Sequence, residues 1–216
     1  MSLFGAEPTQ LEAVVLTHEH TDHTRGVRRF CEEFGMPVFA TRGTLSLITL
    51  DGVETRTISA GRRFSVGFLI VDPFKVRHLA AEPVAFSISV DSIKLGIASD
   101  LGSVTPDVVK HMSDSSLMFI EANYDEEMLL NGDYPDFLKR AIKSDHGHLS
   151  NNDAALLSVE ASSEKTERVV LVHLSRDNNT PEKARETVRD RAKKSAYRPT
   201  VDVVEHSASA GPFELR

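Results

Sequence analysis

The sequence holds no tryptophan and a single cysteine, Cys31. One thiol forms no intramolecular disulfide, which matches a reducing compartment and leaves an apolar core to hold the fold. Long hydrophobic runs are also missing. None approaches the roughly 20 residues that cross a bilayer, so no membrane association is expected. The start, Met1 to Pro8, has neither the basic region nor the apolar stretch of a secretory signal, and a cytoplasmic location is expected. Positive charge is scarce as well: 25 basic residues against 32 acidic ones give a net charge of −7. That excludes a broad cationic platform for nucleic acid. It leaves room for local contacts, because bound cations invert the field of an acidic cleft.

What is present suits one domain over residues 1–216, with enough chain for a real core. Glu12 to Thr17 is a short β-branched run, expected as a buried strand. Thr24 to Phe34 carries Val27, Phe30, Cys31 and Phe34 on one helical face, and Gly35 stops it. Strands are expected at Pro37–Ala40, Thr55–Ile58, Phe64–Val76, Val84–Val90 and Ile93–Ala98, with Asp91-Ser92 turning between the last two. The second half alternates. Thr105-Pro106 opens a helix, Leu117–Ile120 is a strand, and Pro135–Lys143 is a helix. Ser150 with Asp153 caps a helix over Ala154–Ala161. Val169–Val172 is a strand, Thr180-Pro181 opens a long helix, and Thr200–Val204 closes as a strand. The fold class is α/β, with the reactive residues just after strands.

The densest chemistry is Thr17-His18-Glu19-His20-Thr21-Asp22-His23, four metal-binding side chains within six residues. His18 and His20, two apart on an extended segment, project to one side and can bind one cation. Asp22 and His23 continue the loop toward a second. Imidazole with carboxylate and no thiolate suits Zn, Mn or Fe, and argues against a structural cysteine site. Further ligands are sought at other strand ends, where α/β sites assemble. His78, Asp100 and His173 each stand there.

In that order, His18-x-His20-x-Asp22-His23, His78, Asp100 and His173 resemble the five signature motifs of the metallo-β-lactamase superfamily. Ser99-Asp100-Leu-Gly, Glu121-Ala-Asn-Tyr-Asp125, Gly147-His148-Leu-Ser-Asn151 and His173 to Pro181 are similar to its YycJ (WalJ) branch of bacterial metallohydrolases. The likeness runs from Leu11 to Leu215. It implies an αββα sandwich and a dinuclear metal-dependent hydrolase with two divalent cations. By the resemblance, His18, His20 and His78 hold the first metal, Asp22, His23 and His173 hold the second, and Asp100 bridges them. The branch is associated with exonuclease action on double-stranded DNA, so a phosphodiesterase working by metal-activated hydroxide is expected. Asp22 would also orient the nucleophile. His148 resembles the histidine that protonates the leaving oxygen in the tRNA-maturing relatives, and a positioned acid of this kind helps by about 10²–10⁴-fold.

Two departures from the pattern stand out. Leu79 follows His78 where the branch usually has Asp, a change that would alter the site's tuning. Only 17 residues precede His18, where the fold normally has further strands. Their absence would expose a sheet edge and favour a homodimer. Ser150 reads as a helix cap, Cys31 as core, His111 as a helix-end cation, His146 as a turn residue and His206 as solvated. Arg176 either steadies a phosphate or pairs with a carboxylate. The competing readings are a thioester, amide or lactone hydrolase of glyoxalase-II type on the same scaffold, and an inactive metal-binding scaffold.

Overall fold

The computed structural model describes residues 10–205 and 211–215. His206 and the Met1–Pro8 segment lie outside the described residues. The first half builds a small parallel sheet. Its strands are β1 (Val14–Val15), β2 (Val38–Thr41) and β3 (Thr55–Ile58), in that spatial order. Between β1 and β2 come helices α1 (Thr21–Thr24) and α2 (Val27–Phe34), and α3 (Arg42–Ser46) follows β2. Strand β2 shows why the sheet is covered on both faces. Its alternating side chains send Val38 and Ala40 toward Cys31 and Met36, with Phe30 and Phe34 of α2 behind them. Phe39 goes the other way and meets Ile58, Val71, Val84 and Phe86.

Those last three residues belong to a second, seven-stranded sheet. It contains β4 (Phe64–Val66), β5 (Leu69–Lys75), β6 (Val84–Val90), β7 (Ile93–Ala98), β8 (Leu117–Glu121), β9 (Arg168–Val172) and β10 (Thr200–Val203). The spatial order is β10-β9-β8-β7-β6-β5-β4, antiparallel from β4 to β7 and parallel from β7 to β10. The parallel half needs crossover helices. These are α4 (Pro106–Met112), α5 (Glu126–Asn131), α6 (Asp136–Ile142), α7 (Asn151–Ala161) and α8 (Pro181–Ala192). Val108 and Met112 of α4, Leu157 of α7 and Val188 of α8 close over Ala85, Ala98, Met118, Ile120, Val169 and Leu171. Three apolar clusters thus fill three interlayer spaces, giving the helix–sheet–sheet–helix sandwich.

The helix caps match their sequence signals. Thr105, Ser150 and Thr180 accept the amides of Val108, Asp153 and Lys183, and Pro106 and Pro181 occupy first-turn positions whose missing N–H is harmless. Cys31 is buried. Three expectations are corrected. The helix expected from Thr24 begins only at Val27: Thr24 ends the separate turn α1, its hydroxyl bonded back to the carbonyls of Glu19 and His20, and Gly26 caps α2. The strand expected over Phe64–Val76 folds into a hairpin between Val66 and Leu69, with Gly67 at φ 55°. A Cβ there would also collide with the Glu12 carboxylate. The first strand is only Val14–Val15, with the Leu16 amide making the last bond to β2, at the Phe39 carbonyl.

A candidate metal centre

The candidate ligands follow the ends of β1, β5, β7 and β9, while Glu121 ends β8 itself and His148 lies between α6 and α7. From β1, Thr17 lies 3.0 Å from His18 Nδ1 and 3.2 Å from His23 Nδ1 and so steadies both rings. His18 Nε2 is then 3.0 Å from His20 Nδ1, and His78 Nε2 is 3.3 Å from the same atom. The far nitrogens of two of these rings are committed. His20 Nε2–H donates to the Leu79 carbonyl at 3.1 Å, and His78 Nδ1–H donates to the Gly147 carbonyl at 3.1 Å. A carbonyl only accepts, so in the neutral rings His20 Nδ1 and His78 Nε2 both carry lone pairs. Two lone pairs facing each other at hydrogen-bond distance repel, and a cation resolves the conflict. The donor set fits a metal. Leu79, the departure from the branch pattern, enters the site through its carbonyl, an anchor that any residue can supply; its side chain is exposed.

The second group centres on Asp100. His23 Nε2 lies 3.0 Å from Asp100 Oδ2 and 3.5 Å from Asp22 Oδ2. His173 Nε2 lies 3.5 Å from Asp100 Oδ1 and 3.6 Å from Asp22 Oδ2. His78 Nε2 is 3.8 Å from Asp100 Oδ1, so the Asp100 carboxylate faces both groups. Ser99 Oγ donates to it at 2.8 Å. Burial opposes the charge on Asp100, but the His23 and Ser99 hydrogen bonds and the charge of His173 hold its pKa well below the usual range. Asp22 and His23 sit in α1, a single helical turn, which aims both toward Asp100. Asp100 and His173 adopt left-handed backbone, at φ 55° and 58°. The chain turns sharply there as it leaves β7 and β9.

Behind these groups lies Glu121, the last residue of β8 and fully buried. Its Oε1 takes His148 Nδ1 at 2.6 Å and His173 Nδ1 at 3.0 Å. Its Oε2 accepts the amides of Leu101 at 2.8 Å and Leu149 at 3.3 Å. Against the burial that would lower it, the Glu121 hydrogen bond and the charges of Glu121, Asp100 and Asp22 raise His173 to about 9. The field that favours a proton on Nε2 favours a metal cation there equally. His18 is the opposite case. Burial and then the neighbouring His23 push its pKa down to about 3, so it stays a neutral ring with a free lone pair. His148 is raised, because Glu121 outweighs its burial.

Among the described residues, His18, His20 and His78 form one group whose ligand atoms lie within 4.8 Å of one another; Asp22, His23 and His173 form another, and Asp100 joins His18 and His23 in a third. Every ligand expected from the sequence is therefore brought into one place. Glu121, with Asp100, His148 and His173, forms a further such group, and sequence reasoning gave it no role. The available signal was positional: a carboxylate ending the apolar strand Leu117–Ile120, as Asp100 and His173 follow theirs. Elsewhere, His146 is exposed, and its carbonyl accepts the Leu79 amide. His111 donates from Nδ1 to the Asp107 carbonyl near the end of α4. Arg176 is exposed and forms no ion pair among the described residues.

Two sheets packed face to face, with imidazoles and carboxylates converging from both, define a metal-dependent hydrolase of the metallo-β-lactamase fold. Comparison with known proteins agrees. Residues 3–174 match the model of the beta-lactamase superfamily domain, and the chain belongs to that family. It is 33% identical over 183 residues to a Bacillus anthracis protein named exodeoxyribonuclease YycJ, covering 82% of this chain and 69% of that one. It is 31% identical over 189 residues to exodeoxyribonuclease WalJ of Streptococcus pneumoniae, covering 84% and 70%. Among solved structures, the metallo-beta-lactamase fold protein YhfI of Bacillus subtilis superposes with a TM-score of 0.71 at 17% identity, covering 94% of this chain and 78% of that one.

Proposed function

We propose that this hydrolase cleaves phosphodiester bonds of DNA from the strand end. The observation that carries the reading is His148, fixed at Nδ1 by the buried Glu121 and lying 3.9 Å from Asp100 through the same nitrogen. Hydrolysis of a phosphodiester expels an alkoxide, which needs a proton; hydrolysis of a thioester expels a stable thiolate, which does not. With Nδ1 committed, Nε2 is the atom that can hand a proton to the departing oxygen. The exodeoxyribonuclease names of the two relatives support DNA as the polymer.

In this proposal His18, His20 and His78 hold one divalent cation and Asp22, His23 and His173 the other, with Asp100 shared. Zn and Mn both suit the donors, as does Fe. When bound, two such cations supply Lewis-acid charge and lower the pKa of water. The residues do the rest. Asp22, largely exposed, orients the incoming nucleophile at the mouth of the site. Asp100 keeps negative charge between the two imidazole groups, and Glu121 fixes the rings of His148 and His173. The same proposal treats the chain as one catalytic unit, since the side chains come from the loops of both sheets.

The test is cleavage of end-labelled double-stranded DNA with Mn²⁺ or Zn²⁺. His148→Ala should lower kcat by about 10²–10⁴-fold while metal content stays at the parent level. Metal lost along with activity would make His148 a ligand instead of the acid. A metal-loaded parent that leaves DNA intact and hydrolyses a thioester would overturn the DNA reading.

We also propose a homodimer in the cytoplasm. Leu11 and Phe68 are exposed beside the outer edge of β1, and they line an apolar hollow of about 290 Å³ with Val15, Val66 and Ile88. Apolar surface beside an open strand edge is a liability that a second copy removes. Light scattering at micromolar concentration should report twice the chain mass, and a clean monomer would reject this. Among the described residues no helix is long and apolar enough to cross a membrane.

A further inference from the structure

The outer face of the large sheet carries a second polar cavity, at the end of β7 opposite the metal centre. Lys94 begins at one end of that strand and Asp100 follows the other, a separation of about 20 Å along an extended chain. Helix α4 covers Phe74 and Ala85 and then stops at Met112. Beyond it the sheet face turns polar. Asp72 stands opposite Ser87, Ile70 opposite Ser89, and Ser89 opposite Lys94. With Arg63, Lys110 and His111, these residues line a cup of about 300 Å³.

Its lining is rich in donors, in a chain whose net charge is −7. Arg63 Nε pairs with Asp72 at 2.8 Å, which accounts for the one carboxylate in the lining. Lys94 is partly buried and donates one hydrogen to the Ser113 carbonyl at 2.7 Å. Lys110 is exposed and forms no ion pair among the described residues. His111 stacks on Phe74 with its Nδ1 bonded to the Asp107 carbonyl, so its Nε2 is the free ring nitrogen. The nearby carboxylates outside the lining are Asp107, beside His111, and Asp114, whose charge acts on Lys94.

Ser87 adds a hydroxyl to the lining. It is only 4% exposed, it lines the cup, and its hydroxyl has no hydrogen-bond partner among the described residues. Its oxygen opens on the cup, where an oxygen-rich anion can take the hydrogen that water otherwise accepts. Two ammonium groups, a free guanidinium edge and two serine hydroxyls suit a tetrahedral dianion with several acceptor oxygens. The cup is at the small end of ligand pockets, which allows a phosphate with a small attached group.

We propose that this cup binds phosphate or a small phosphomonoester, separately from the metal centre. The test is calorimetric titration of the metal-loaded protein at low ionic strength, first with inorganic phosphate and then with deoxyadenosine monophosphate. Phosphate can also meet the metals, so the cup should appear as an additional site. Ser87→Ala and Lys110→Gln should each weaken that site about tenfold and leave hydrolysis unchanged. Ser87→Ala removes no hydrogen bond within the protein and Lys110 is exposed, so both variants should keep the parent melting temperature. Tighter binding of the nucleotide assigns the cup to phosphomonoesters, and equal binding assigns it to the phosphate group alone. A titration that shows no phosphate site sensitive to either substitution would overturn the proposal.

Discussion

Asp100→Asn should reduce hydrolysis by roughly 10³-fold and cut metal content well below that of the parent. Asn fits the same space and tolerates the left-handed backbone at φ 55°, so the fold should survive. What disappears is the negative charge between two groups of imidazoles, within 3.0 Å of His23 and 3.5 Å of His173. A pair of cations brought together without that shared charge repel each other. Metal catalysis supplies several kcal/mol of transition-state stabilisation, and each 1.36 kcal/mol is tenfold in rate. Metal analysis by mass spectrometry beside the rate assay decides the matter. Full metal content with parental activity would remove Asp100 from the site.

The second large effect belongs to Glu121. Replacement by Leu keeps the volume roughly constant and strands four donors: the rings of His148 and His173 and the amides of Leu101 and Leu149. Breaking a buried charged partnership costs about 3–5 kcal/mol. For a chain of this size that lowers the melting temperature by about 6–20 °C. Metal affinity should also fall by about 10–100-fold, because His173 loses the partner that orients its ring. Glu121→Gln, which keeps one acceptor oxygen, should fall between the two. An unchanged melting temperature in Glu121→Leu would show that these donors find other partners.

The candidate ligands were legible because they obey two local rules: they cluster after one short strand, and the remainder follow other apolar strands. The caps at Thr105, Ser150 and Thr180 were legible for the same reason, since a cap acts within four residues. Glu121 was not. A carboxylate at a strand end looks solvated until two amides from Leu101 and Leu149, 20 and 28 residues away, are seen to close around it. The turn α1 and the late start of α2 escaped because the Thr24 hydroxyl competes for backbone carbonyls, which hydrophobic periodicity does not register. The hairpin at Gly67 was hidden inside a continuous apolar run, where a single glycine is a weak signal. Helix α3 is five residues long, too short to show a periodicity at all.

The left-handed backbone at Asp100 and His173 limits how this site can be altered in the laboratory or by descent. Of the side chains that bind metals, Asp, Asn and His tolerate that conformation, whereas Glu and Cys would add strain of about 1–3 kcal/mol before any ion arrived. An attempt to shift metal preference with a thiolate or a longer carboxylate should therefore begin at His18, His20, Asp22, His23 or His78, whose backbones impose no such filter. Positions 100 and 173 admit a small alphabet, and a library that randomises them fully would consist mostly of proteins weakened before their chemistry is tested.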